Sequence, residues 1–212
     1  NIQTCRARHV IAIANAGAAK TTTLALRIAE SVTRGVWPER IIALTCSGEA
    51  ARVLKARLVE IGLDEKLARR IRCTTFEEFA QQVLGAFEGG QAPFLASHDA
   101  VAPHVRAAVR KLQLENSMRR TPRELWLPEH NDQIFEFLSL AGQLKARLVK
   151  PGVEDGESIE ERAGFLDLPE SVFLLYCLME AERAGYGDAP RWRAGFDATY
   201  DLACMLTSED CA

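Results

Sequence analysis

Between Val10 and Val32 the chain passes from an unbroken apolar run, Val10-Ile11-Ala12-Ile13-Ala14, through small residues at 15–19 into a helical pattern opening on Lys20-Thr21. No other stretch constrains the fold as tightly. A short apolar run without alternation predicts a strand covered on both faces, and such strands belong to parallel sheets flanked by helices. The turn from strand to helix is also where an anion can be held, because N–H groups of a tight loop and of the helix N-terminus converge there. Lys20 supplies a cation for phosphate oxygens and Thr21 a hydroxyl for Mg²⁺. The predicted phosphate-binding loop comprises Asn15, Ala16, Gly17, Ala18, Ala19, Lys20, Thr21 and Thr22. The spacing G-x-x-x-x-G-K-[ST] is not met in full: Ala14 and Ala19 stand at the two glycine positions. If residue 19 must be left-handed, alanine costs about 1–2 kcal/mol there, and its methyl crowds a phosphate. The competing reading is an alanine-rich helix start whose lysine is merely solvated.

The same alternation continues downstream. Residues 40–45 predict a second buried strand, 49–61 an amphipathic helix stopped by Gly62, and 64–70 a short helix opened by the acidic pair Asp64-Glu65. Residues 71–74 predict a weaker third strand. Thr75-Phe76-Glu77-Glu78 forms a capping box ahead of a helix through Phe79, Val83 and Phe87. Strands alternating with helices over 10–87 predict an α/β fold, a P-loop NTPase-type parallel sheet with crossover helices. Beyond Gly89-Gly90 only helical periodicity remains, at 99–113, 131–149, 169–184 and 197–206, with Glu154–Arg162 expected as an exposed loop. This is a mainly helical inserted subdomain. The aromatic set Phe76, Phe79, Phe87, Phe135, Phe137, Phe173 and Tyr176 is expected in the core.

The formal charge of −3 argues against a bulk polyanion binder, but the total conceals an asymmetry. Residues 1–84 carry 13 basic and 8 acidic side chains, and residues 85–212 carry 13 and 21. A basic first part points towards nucleic acid. The six cysteines form no C-x-x-C pair and the four histidines have no ligand spacing, so buried reduced thiols and no structural metal are expected. No apolar run reaches the roughly 18 residues of a membrane span, and Val10–Ala14 leads straight into the loop rather than into a cleavage site. A cytoplasmic protein without membrane contact is the expectation.

Three landmarks then line up with one family. The loop Ala14–Thr21 stands where A-G-A-G-S-G-K-T is found in the UvrD/Rep/PcrA group of superfamily I DNA helicases. Gly35-Val36-Trp37-Pro38-Glu39-Arg40-Ile41-Ile42-Ala43-Leu44-Thr45-Cys46-Ser47-Gly48-Glu49-Ala50-Ala51 is similar to that family's G-V-x-P-x-R-I-x-A-L-T-F-T-N-K-A-A. Thr75-Phe76-Glu77-Glu78-Phe79 resembles its T-F-H-S-F. The resemblance implies a first motor domain with a helical insertion, binding ATP and Mg²⁺ with Lys20 on the phosphates and Thr21 on the metal. Single-stranded DNA would cross the carboxyl edge of the sheet near Thr45, Ser47, Thr75 and Phe76. It further implies a P-loop motor domain over 1–88, the helical subdomain over 89–195, and a return to the motor domain over 196–212, where Phe196-Asp197-Ala198-Thr199-Tyr200-Asp201-Leu202 is a weak version of F-D-D-L.

Departures from the family pattern run in one direction. Cys46 replaces an aromatic platform, Gly48-Glu49 replace Asn-Lys, and Glu77 replaces His, all of which weaken a grip on single-stranded DNA. An apolar strand ending in Asp-Glu, whose carboxylates would hold Mg²⁺ and activate water, is not found, and Asp64-Glu65 reads as a helix start instead. The expectation is therefore the N-terminal ATP-binding portion of a UvrD-like ATP-dependent helicase or translocase that does not turn over ATP alone. The alternative is a non-enzymatic, degenerate module acting as an interaction or regulatory domain.

Overall fold

The computed structural model describes residues 5, 7, 9–13, 15, 17–185, 189–195 and 197–207. The chain divides into two compact units, Asn1–Phe79 and Ala80–Ala212.

The first unit is α/β. Its sheet has two parallel strands, β1 (Ile42–Thr45) and β2 (Arg72–Thr75), paired in register from Ile42 opposite Arg72 to Thr45 opposite Thr75. Between them run α2 (Gly48–Glu60) and α3 (Glu65–Arg70), the crossover that a parallel pair requires. Ahead of them stands α1 (Lys20–Thr33), followed by a 3₁₀ turn at Pro38–Arg40. Helix α1 packs on α2, and Ala25, Ile28, Ala43, Leu54, Leu58, Ala68 and Ile71 form the core. The caps follow sequence rules: the Ser47 hydroxyl accepts from the Ala50 amide at 3.1 Å to open α2, and the Asp64 carboxylate accepts from Lys66 and Leu67 to open α3. The acidic pair at 64–65 is thus a helix start, as expected.

The apolar run at 10–14 does not form the strand expected of it. Residues 10–13 have no strand assignment, Ile11 and Ile13 are 91% and 97% exposed, and Ala14 lies outside the described residues. A strand apolar on both faces stays buried only with a neighbour at its edge and helices above and below. Strands β1 and β2 pair with each other, and neither takes up this segment among the described residues.

Helix α4 (Phe76–Phe87) opens on the Thr75–Glu78 capping box, and the boundary between the units falls after Phe79. The second unit contains α5 (His98–Ser117), α6 (Asn131–Ala146), α7 (Ile159–Phe165), α8 (Glu170–Ala184) and α9 (Asp197–Thr207). A two-residue parallel pair, β3 (Phe94–Leu95) with β4 (Arg193–Ala194), adds a strand contact that periodicity missed. Its core centres on Val105, Ile134, Phe173, Leu175 and Tyr176. The expected exposed loop at 154–162 holds over 154–158, and α7 takes over from Ile159. Ser158 and Glu161 make a reciprocal capping box that starts a helix inside an acidic stretch. Phe137, Phe173 and Tyr176 are buried as expected, whereas Phe76 and Phe87 are exposed, because they stand at the two ends of α4. Cys46 is exposed and Cys5, Cys73, Cys177 and Cys204 are half-buried, so none of these free thiols is a fully buried one; Cys211 lies outside the described residues.

Candidate nucleotide and nucleic-acid site

The loop leading into α1 is built by residues that relinquish side-chain bulk. Gly17 has φ +78°, which only glycine adopts without cost. Ala19 immediately precedes the helix with φ +52° and ψ +32°, the left-handed conformation that alanine resists by about 1–2 kcal/mol. The Ala18 amide donates to the Asn15 carbonyl at 3.3 Å and the Ala19 amide to the Gly17 carbonyl at 2.9 Å. Lys20, the first residue of α1, turns its ammonium back so that Nζ donates to the Asn15 carbonyl at 2.7 Å. No acidic residue occupies the first turn of α1, which leaves the positive end of its dipole uncompensated there.

Thr22 faces α2. Its hydroxyl accepts from Arg57 Nε at 3.2 Å and Nη2 at 3.1 Å, while Arg57 Nη1 donates to Glu60 at 2.6 Å. A guanidinium therefore stands beside the first turn of α1, a contact between residues 35 apart that no local pattern signals. Asn15, Gly17, Ala18 and Ala19 lie in the segment leading into α1 and Lys20, Thr21 and Thr22 in its first turn, and Ala16 lies outside the described residues. The lysine stands at the first helical position behind a left-handed residue, and the Ala18 and Ala19 amides and the Lys20 ammonium are taken up by loop carbonyls.

The residues expected at nucleic acid gather at the carboxyl ends of the two strands. Thr45 and Thr75 are direct partners in the parallel ladder, with Ser47 two residues beyond β1 and Phe76 one beyond β2. Their polar groups are used locally. The Thr45 hydroxyl donates to the Ser47 carbonyl at 3.0 Å, Ser47 caps α2, and the Thr75 hydroxyl accepts from the Glu78 amide at 3.1 Å. Glu78 is fixed further, accepting from Thr74 Oγ1 at 2.6 Å and from the Thr75 amide at 3.0 Å. The Thr74 hydroxyl, then the Thr75 amide, hold this carboxyl below its usual range. Phe76 is exposed. Glu49, at the position of a family cation, is ion-paired with Arg52.

The basic cluster at 69–72 is only partly engaged: the Arg69 and Arg70 side chains stay exposed, and the buried Arg72 Nη2 has no hydrogen-bond partner among the described residues. Arg69 pairs with Glu65 at 2.5 Å, Arg70 pairs with Glu39, and Arg72 lies over the Phe79 ring. Among the described residues no group of carboxylates, cysteines or histidines could hold a metal ion, and no helix is long and apolar enough to cross a membrane.

Sequence reasoning missed a buried ionic network in the helical unit. Lys145 lies between Glu180 at 2.6 Å and Asp197 at 2.5 Å; Arg183 grips both oxygens of Asp201 at 2.8 and 2.9 Å; Arg193 joins Asp201 to Glu88. Burial pushes the Asp201 carboxyl up, but Arg183 and Arg193 reverse this and hold it below the usual range. The available signal was a charge inside an apolar run: Lys145 after Leu144, and Glu180 and Arg183 one turn apart in α8.

A parallel strand pair with its crossover helices, preceded by a loop and a helix that opens on Lys20, makes the first unit α/β, and in sequence a helical unit follows it. Residues 1–145 match the UvrD/REP helicase N-terminal domain, and the chain belongs to that family. A search of the curated proteins finds no match.

Proposed function

We propose that this chain is the N-terminal, ATP-binding portion of a UvrD-like DNA helicase or translocase. The observation that carries the reading is the loop into α1: left-handed backbone at Ala19, and Lys20 at the first helical position with its ammonium directed over the loop. ATP would lie on residues 15–22, with loop amides and Lys20 on the phosphates and Thr21 on Mg²⁺; the bound metal would supply charge neutralisation. Single-stranded DNA would cross the edge formed by Thr45, Ser47, Thr75 and Phe76, with Phe76 as the stacking surface. Turnover by the chain alone is not expected, since the Asp64-Glu65 pair opens α3 instead of ending an apolar strand where its carboxylates would hold Mg²⁺. The division into a motor domain over 1–88, a helical subdomain over 89–195 and a motor return over 196–212 belongs to the same proposal.

Titration of Mg-ATP into the chain by calorimetry tests the binding step. Saturable binding is expected, weakened at least tenfold in Lys20→Ala. A K20A variant with parental affinity would sink the loop assignment. The second reading, a degenerate module that binds no nucleotide, draws on Ala19 and on the loop amides already bonded to loop carbonyls. It predicts that neither the parent nor Ala19→Gly gives a saturable heat.

A further inference from the structure

Outside the ionic network, cations of the helical unit collect on one element. Residues 85–212 carry 13 basic and 21 acidic side chains. Helix α5 and the residues just after it, 98–120, reverse that balance, with five basic (Arg106, Arg110, Lys111, Arg119, Arg120) against two acidic (Asp99, Glu115). Elsewhere arginines find carboxylates, as Arg34, Arg57, Arg123, Arg183, Arg191 and Arg193 do. On α5 Arg106 donates to Asn131, but Arg110, Lys111, Arg119 and Arg120 are exposed, with no hydrogen bond or ion pair among the described residues.

The same face is apolar between its charges. Val101, Val105, Val109 and Leu112 turn the inner side of α5 into the core. Ala107, Leu114 and Met118 stand at i, i+7 and i+11 on the outer side, Leu114 57% and Met118 74% exposed. Arg110 precedes Leu114 by four residues and Lys111 by three, so a cation flanks the leucine on each side. At a rise of about 1.5 Å per residue the stripe is about 16 Å long, roughly three turns of a partner helix.

Nucleic acid and acidic protein both carry the charge that such a face attracts, and the stripe separates them. A phosphate backbone would neutralise the cations but cover no apolar side chain, and residues 98–120 hold no Phe, Tyr or Trp on which a base could stack. A helix with acidic flanks and an apolar edge covers both, its edge on Leu114 and Met118 and its carboxylates on Arg110, Lys111, Arg119 and Arg120.

We propose that the outer face of α5 is a docking surface for an acidic amphipathic helix of a partner protein. The surface is independent of the loop at 15–22 and of nucleotide.

Fluorescence anisotropy on the full chain with a labelled acidic peptide, two repeats of Leu-Glu-Glu-Leu-Leu-Glu-Glu, tests it. Saturable binding is expected, weakening as salt is raised, and roughly tenfold weaker when every Glu of the peptide is Lys or every Leu is Ser. Arg110→Glu with Lys111→Glu is expected to weaken the peptide about tenfold at an unchanged Tm, and Leu114→Gln with Met118→Gln likewise. Arg119→Glu with Arg120→Glu, beyond the helix, repeats the charge reversal should the first pair lower the Tm. Three results would each overturn the proposal: an acidic peptide that does not saturate, a folded charge-reversed variant with parental affinity, or an oligothymidylate that binds more tightly than the peptide and is lost in Arg110→Glu with Lys111→Glu.

Discussion

Ala19 concentrates the question of nucleotide binding in one methyl group. The chain adopts the left-handed turn that the loop requires although an alanine stands there, so the backbone geometry is retained at an energetic cost. Ala19→Gly removes that cost without removing a contact, and a stabilisation of about 1 kcal/mol is expected in denaturant melts of the chain. A gain in Mg-ATP affinity is expected in parallel, because a glycine lets the loop amides approach phosphate. Parental stability in A19G would mean that the turn is not strained. Conditional cost at residue 19 was legible in the sequence, since the motif spacing places a glycine there. The Arg57 contact to Thr22 was not, because nothing local links positions 35 apart.

At the scale of elements, the same residues serve capping and the proposed DNA edge, and the two roles separate experimentally. Thr75→Ala breaks the box that opens α4 and is expected to cost about 1 kcal/mol, measured by urea unfolding. Phe76→Ala touches no cap and is expected to leave stability unchanged while weakening oligothymidylate binding in a fluorescence-anisotropy titration. Equal affinity for F76A and parent would remove Phe76 from the edge. Glu78 adds a pH signature. Its carboxyl is held below the usual range, so the stability it contributes is present above the unfolded-state value of about 4.3 and is lost as pH falls through the lower folded value. The effect is small because the side chain is exposed and screened. An acid titration of Glu78→Gln should therefore be flatter than the parent's below pH of about 4.3. Capping boxes at 75–78 and 158–161 both obey a local rule, but only the first stood before a strongly apolar pattern. In the second, acidic residues masked a helix start.

The whole molecule shows what periodicity can and cannot report. Local signals located β1, β2 and the long helices to within a few residues, since each is encoded by spacing within itself. Strand β3 with β4 joins residues about a hundred apart, and the ionic network ties Glu88 to Arg193 and Lys145 to Asp197 across the helical unit. Such pairings depend on the tertiary arrangement and leave only a misplaced charge in the sequence. Asp201→Asn leaves Arg183 and Arg193 short of a carboxylate and is expected to destabilise the helical unit by about 3 kcal/mol in thermal or urea unfolding. The run at 10–13 has a further consequence for handling the protein. Exposed Ile11 and Ile13, in a segment without strand pairing among the described residues, offer a surface to which an identical segment can add, so the chain is expected to self-associate with rising concentration. Ile11→Lys with Ile13→Lys should restore a monodisperse profile in light scattering without lowering the Tm. Residues 10–13, expected in the core, would then set the limit on how far the protein can be concentrated.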